Sequence, residues 1–342
     1  MRQSRKTHFR WGTAVAGIGV AALALTACSS GSGSSPSGSP KQLQIAYLSF
    51  AVANTYDTPM LAAAQKVADA NNAQVSVFDA NNDPNLQLSQ LQDVITTGRY
   101  DGIITQPIYG PQLVDAVKQA IAAKIKVVNI DQILGTDLTT GQPQVDGLSA
   151  NVTFIPTEIG KKLGEQTVAA CKAANVNPCN VGYLYDIKAS ALDVAINKAF
   201  TDAVAGSPVK VVAEGESFFN PANALTVVQD MLTAHPELSA IVASDQGLQG
   251  ADQALTAANK VGKIIEVGFG ASEVAVKQVT AGNWFSDVAQ APATEGKLGM
   301  QALIDAINKG KKSGYIDPFK GFPNDGVMTK DNADKFTAEW PG

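Results

Sequence analysis

Beyond residue 42 the chain alternates short apolar runs with longer stretches of helical period. Nine runs read as strands: LQIAYLS (43–49), AQVSVFD (73–79), GIITQ (102–106), KVVNI (126–130), VGYLYD (181–186), VKVVAEG (209–215), AIVAS (240–244), KIIEVGF (263–269) and FSDVAQ (285–290). Helices are predicted between them, near 57–71, 85–97, 111–123, 156–173, 190–205, 221–234, 247–259, 272–281 and 293–309. In the first helix Leu61, Ala64, Val67 and Ala68 share one face. Strands buried on both sides and joined by helices predict an α/β fold of parallel sheets with helical cover. So many strands overfill one compact sheet, so two lobes with a cleft between them are expected.

Ligands of such sheets sit beyond the carboxyl ends of the strands. The residues there are polar: Ser49, Gln106, Asp131, Asp186, Asp245 and Gln290. An Asp in that place also serves as the N-cap of the next helix. Gln is a poor cap, however, and Tyr56 and Phe219 are not caps at all. The loop SFAVANTYDTPM (49–60) adds an amide, a ring and a carboxylate, Asn54, Tyr56 and Asp57, before the first helix. Asp57 is either that helix's N-cap or a ligand contact.

Composition narrows the classes. With 342 residues, 45% hydrophobic and 17% charged, the chain can bury one or two cores. Its net charge of −5, with no basic stripe after the first ten residues, argues against nucleic acid. The N-terminus, MRQSRKTHFRW followed by GTAVAGIGVAALAL, reads as a secretory signal over 1–27. Its end, Leu25-Thr26-Ala27-Cys28, resembles a bacterial lipobox, which implies lipidation of Cys28. Cleavage that leaves Cys28 unmodified, and a short membrane anchor, are the alternatives. Residues 28–42, containing SSGSGSSPSGSP, read as a flexible tether. Outside the cytosol Cys171 and Cys179 are expected to pair, with two free thiols as the alternative.

Catalytic machinery is thin. The two histidines are His8, in the signal, and His235, in the helix-ending TAHPEL. Ser/His/Asp, Cys/His and transition-metal chemistry therefore have no basis. DANNDPNLQLSQ (79–90) starts like a calcium loop but has Pro84 where glycine is needed and Gln90 where Glu is needed. GFGAS (268–272) lacks the third glycine of a dinucleotide loop. No metal or cofactor is expected, and no enzyme activity. Asp57, Asp131 and Asp245 leave a glycosidase as a weak alternative.

The stretch LTVVQDMLTAHPELSAIVASD (225–245), with AAAQKVADANNAQVSVFDANNDPNLQLSQLQDVI and GIITQP before it, resembles the type I periplasmic sugar-binding proteins of ABC transporters, in the ribose-binding branch. The likeness runs over nearly all of 43–320. It implies a two-lobed fold with a three-crossover hinge. One lobe is then 43–150 plus 291–322, and the other 151–290 plus 323–342. Carried over position by position, the resemblance implies ligand contacts from Asn54, Tyr56, Asp57, Gln106, Asp131 and Gln132 in the first lobe, and from Asn151 at the crossover into the second. From the second lobe it implies Phe219 and Asp245, with Gln290 at the hinge. Two departures matter. Gly270 stands where the family has a ligand-binding Asp, and Ile196 falls nearest a missing Arg; a further Arg position holds Gln132.

The function implied is capture of a small neutral sugar or polyol by hinge closure and its delivery to an ABC transporter permease. The chain is then expected to be a monomer, tethered by its lipid to the outer face of the cytoplasmic membrane. A receptor for a signalling or chemotaxis partner uses the same fold. A transcription regulator needs a basic helix-turn-helix that this N-terminus lacks.

Overall fold

The computed structural model describes residues 41–342. The signal, Cys28 and most of the tether lie outside the described residues. The first sheet is built from β1 (Leu43–Ser49), β2 (Ala73–Asp79), β3 (Gly102–Thr105), β4 (Lys126–Asp131), β5 (Ala150–Thr153) and β11 (Gly314–Ile316). Its order is β2-β1-β3-β4-β5-β11, and every pairing is parallel. The second sheet is built from β6 (Cys179–Tyr185), β7 (Val209–Glu216), β8 (Ala240–Ser244), β9 (Ile265–Gly270), β10 (Ser286–Ala289) and β12 (Val327–Thr329). Its order, β7-β6-β8-β9-β10-β12, repeats the first, except that β12 runs antiparallel to β10.

Alternate residues of the central strands feed opposite faces. In the first sheet Ile45, Tyr47, Ile104, Val128 and Ile130 pack against α1 (Asp57–Ala70) and α9 (Pro292–Lys309). Ala46, Leu48, Ile103 and Val127 pack against α2 (Pro84–Thr97) and α3 (Gly110–Ala122). The stripe expected on α1 is present but rotated: Met60, Ala64 and Ala68 are fully buried, with Leu61 and Val67 at its edge. In the second sheet Val181, Tyr183, Val242 and Val267 face α4 (Pro156–Ala173) and α5 (Ala191–Val204). Leu184, Ile241 and Ala243 face α6 (Pro221–Ala234), α7 (Asp245–Ala257) and α8 (Glu273–Ala281).

The chain passes between the sheets three times: from β5 to α4, from β10 to α9, and from β11 to β12. β5, β11 and β12 were not visible in the apolar pattern. At three residues each GYI and VMT are too short to display a period, and ANVT offers only Ala and Val between polar residues. The disulfide Cys171–Cys179 forms between α4 and the first residue of β6, with Cα atoms 6.0 Å apart. Closing an eight-residue separation contributes about 2–3 kcal/mol on the chain-entropy estimate.

The expected decoys resolve locally. Asp83 is the N-cap of α2, accepting from the amides of Asn85 and Leu86, and Pro84 opens the helix. His235 ends α6, and its Nδ1 lies 3.2 Å from Glu237. Among the described residues no cluster of His, Cys, Asp or Glu could hold a metal ion, and no helix is long and apolar enough to cross a membrane.

Candidate functional site

The carboxyl ends of both sheets face one cavity of about 510 Å³, counting its mouth. From the first lobe it is lined by Phe50, Asn54, Tyr56, Asp57, Asp131 and Gln132, with Phe154 at the crossover between the lobes. Leu192, Phe219, Ser244, Gln246, Phe269 and Gln290 come from the second lobe and hinge, and Trp340 from the C-terminal tail. Half of this set is aromatic or aliphatic, and the polar half is amide, hydroxyl and carboxylate. No Lys, Arg or His among the described residues lines the cavity.

The β1–α1 loop is organised by Asn54, whose Oδ1 accepts from the Tyr56 amide at 2.8 Å. Tyr56 takes the cap position of α1 without a side-chain cap, and Asp57 is the first helical residue, lining the cavity. The N-cap role for Asp57 is thereby replaced by a cavity position. Gln106, just beyond β3, does not line the cavity but sits fully buried behind it. Its Nε2 donates to Asp57 Oδ1 at 2.5 Å and to Asp131 Oδ2 at 3.0 Å, while its Oε1 accepts from the Phe50 amide. One amide group thus holds two carboxylates side by side. Asp131 ends β4 in the left-handed region, φ 65°, a conformation that Asp tolerates better than most residues.

Burial drives the electrostatics. Desolvation, followed by the neighbouring Asp131, pushes the Asp57 carboxyl well above the ordinary carboxylate range, against the lowering effect of Gln106. Desolvation pushes Asp131 up to about 7, again opposed by Gln106. Glu295, in the first turn of α9, is fully buried; burial and then Asp131 raise it strongly, and neither of its oxygens has a hydrogen-bond partner.

Two more residues expected at the ligand lie behind the walls. Asn151 spends its amide on Gly141 O and Thr153 and its Oδ1 on Asn129, fastening β5 to β4. Asp245 accepts from the Ser272 amide at 2.7 Å and lies beside Asp287, wholly buried in the second lobe. Asp186, another strand-end carboxylate, is likewise internal, accepting from Ser217 Oγ and Ser244 Oγ. For Gln106 and Asp245 the strand-end rule found the right end of the sheet but not the depth of the side chain, and Asn151, placed by the resemblance, is internal to β5.

Residues that the pattern passed over supply much of the wall. Phe154 and Phe269 stand at strand ends and are legible there once aromatic residues are counted with polar ones. Gln246 donates to Thr55 Oγ1 at 3.2 Å, joining the lobes across the cleft. Trp340 had no sequence signal. Its ring meets Tyr56 edge-on at 5.4 Å, and its Nε1 donates to Gly270 O at 2.7 Å. Gly270 is required there: its φ is 146°, and a Cβ would stand 2.6 Å from Asp245 Cγ and 2.8 Å from Trp340 Cζ2. The missing Asp at 270 and the indole at 340 are one structural fact.

A cleft at the carboxyl ends of two like sheets is a common site for a small solute. Comparisons agree. The chain is 29% identical over 269 residues to the ribose import binding protein of Salmonella typhimurium, covering 78% of this chain and 86% of that one. It is 27% identical over 271 residues to the xylitol-binding protein of Mycolicibacterium smegmatis, covering 78% and 72%. An ABC transporter solute-binding protein from Bacillus halodurans, solved with bound myo-inositol, shares the fold with a TM-score of 0.75 at 21% identity, over 89% of this chain and 100% of that one. Residues 45–312 match the family described as periplasmic binding protein domain, so with its paired sheets and walled cleft the chain belongs to that family of binding proteins, not enzymes.

Proposed function

We propose that this chain is the extracytoplasmic solute-binding component of an ABC transporter, capturing a monosaccharide or sugar alcohol between its lobes for delivery to a membrane permease. The observation that carries this reading is the pairing of aromatic walls with carboxylate and amide edges in one interlobe cavity. Paired hydroxyls suit carboxylates and amides, which accept and donate in pairs. Sugar C–H faces pack on rings such as Tyr56, Phe219 and Trp340. Each buried polar group left unpaired costs about 1–3 kcal/mol, so hydroxyl pattern sets selectivity. Lobe closure excludes water and strengthens these bonds. The ligands named for relatives, ribose, xylitol and myo-inositol, fall in this class. Lipidation at Cys28 and a monomeric state complete the proposal.

A thermal-shift screen of the protein with pentoses, hexoses, tetritols, pentitols and hexitols tests it. A true ligand at about a hundred times its Kd adds ~2.7 kcal/mol and raises the unfolding midpoint by a few degrees. A silent panel beside a strong shift from an amino acid or nucleoside overturns the reading.

A further inference from the structure

We propose, on the reading that the cleft takes a polyhydroxylated solute, that its preferred ligand carries a protonated amine: an amino sugar or an amino-substituted polyol. The argument is one of charge. Asp57 and Asp131 enter the cavity with a single neutral amide, Gln106 Nε2, as their shared donor. No cationic side chain among the described residues lines the cavity, and the one arginine in that range, Arg99, stacks on Tyr100 at 5.7 Å.

The surroundings supply acids and hydroxyls but no cation. Glu295 lies behind Asp131 with both oxygens unpartnered, and the Glu339 carboxylate accepts from the Thr294 amide and hydroxyl. The hydroxyls of Tyr47 and Tyr56, buried among these groups, have no partner either. Groups facing the carboxylate pair from β1, β2, α1, α9 and the tail are thus Tyr47, Asp79, Tyr56, Glu295 and Glu339, all neutral or acidic.

When the lobes close, water leaves and the pair must be compensated from within. A neutral polyol donates hydroxyl hydrogens to the pair but brings no countercharge. An ammonium group supplies the countercharge directly, through charge-assisted hydrogen bonds to both carboxylates. The walls fit the same group: Tyr56 and Trp340 meet edge-on beside the pair, and aromatic faces attract a desolvated cation.

Calorimetric titration with matched pairs at neutral pH tests this: D-glucose and D-glucosamine, D-galactose and D-galactosamine, D-glucitol and D-glucamine, scyllo-inositol and scyllo-inosamine. The N-acetyl amino sugars serve as uncharged controls. The expected result is at least one pair in which the amine binds roughly tenfold or more tightly than its hydroxyl counterpart, with the gain lost on acetylation. In Asp57→Asn and in Asp131→Asn, checked for folding by circular dichroism, the amine-to-hydroxyl preference falls by a similar factor. Neutral members that bind as well as or better than their amines in every pair overturn the proposal and leave the sugar reading standing. No binding by any amine also overturns the proposal, and the sugar reading falls with it only if the full pentose-to-hexitol panel is silent too.

Discussion

The two lobes repeat one strand order, yet they spend their strand-end polar residues differently. Beyond β3 stands Gln106, and at the matching place beyond β8 stands Asp245. Asp131 ends β4, and Gly270 ends β9. In β5, Asn151 pairs in register with Asn129, and in β10, Asp287 pairs with Gly268. In the first lobe a central amide donates outward to two carboxylates that open on the cavity. In the second the central group is itself a carboxylate, and its partners are the Ser272 amide and Asp287. With no side chain at 270, Trp340 closes over that cluster. Position in the fold offers a carboxylate to the cleft, but the donor behind it decides whether it stays available.

This contrast predicts opposite consequences for two buried aspartates. Asp131→Ala removes a cavity acceptor and relieves a buried carboxylate. We expect its Kd for the cognate solute to rise about a hundredfold or more, with stability unchanged or improved. Asp186→Ala instead strands the hydroxyls of Ser217 and Ser244 inside the second lobe. We expect a loss of roughly 2–4 kcal/mol in stability and little change in affinity once folded. Titration calorimetry and urea unfolding of both variants check this. Near-normal binding by Asp131→Ala, or lost binding by a stable Asp186→Ala, would break the division of roles.

A smaller but more local effect is expected at Trp340, the piece that sets the second lobe apart. Trp340→Ala removes a buried ring from the cavity wall and the bond to Gly270 O. It should weaken solute binding by about tenfold or more and cost roughly 3 kcal/mol of stability. Trp340→Phe keeps the wall and loses only the hydrogen bond, so it should recover most of the affinity. If both variants bind equally poorly, the indole N–H rather than the ring surface is what matters.

Much of this architecture was legible in the chain. Nine strands, every α-helix and the paired cysteines were visible because their apolar periods or spacings are local properties. Asn54, Tyr56, Asp57, Asp131, Gln132, Phe219 and Gln290 were placed at the cavity from the sequence, and the structure brings them together there. Gln106 and Asp245 were placed at the correct strand ends but lie one layer deeper, as does Asn151, which the resemblance put near the cleft. Side-chain depth depends on which neighbour supplies the donor, and no local pattern carries that. Trp340 was out of reach for a different reason. It lies beyond residue 312, where the family match ends, in a tail without periodicity, and its place follows from space left at Gly270.

The mildest consequence of the contrast is a pH dependence, and its sign is opposite to that of a protein held by ionised salt bridges. Burial raises Asp131 and Asp186 to about 7 and Glu266 to about 9. Asp245 is raised by burial, and Asp287 by burial and then by Asp245. In the second pair Asp287 Oδ1 accepts from the Ala271 amide, leaving Asp287 Oδ2 and Asp245 Oδ1 buried without a donor, which one shared proton would supply. Unfolded carboxyls titrate near pH 4. The folded state therefore binds more protons, and the stability this brings is full below about pH 4. It is lost as pH climbs through the folded values, by up to ~1.4 kcal/mol per pH unit for each group. The unfolding midpoint should thus fall between pH 5 and pH 9. Asp287→Asn should flatten that fall, because its amide donates to Asp245 at any pH where the shared proton once did. A midpoint that is level or rises over this range, or an unchanged slope in Asp287→Asn, would mean that the second lobe's acids are compensated by something other than protons.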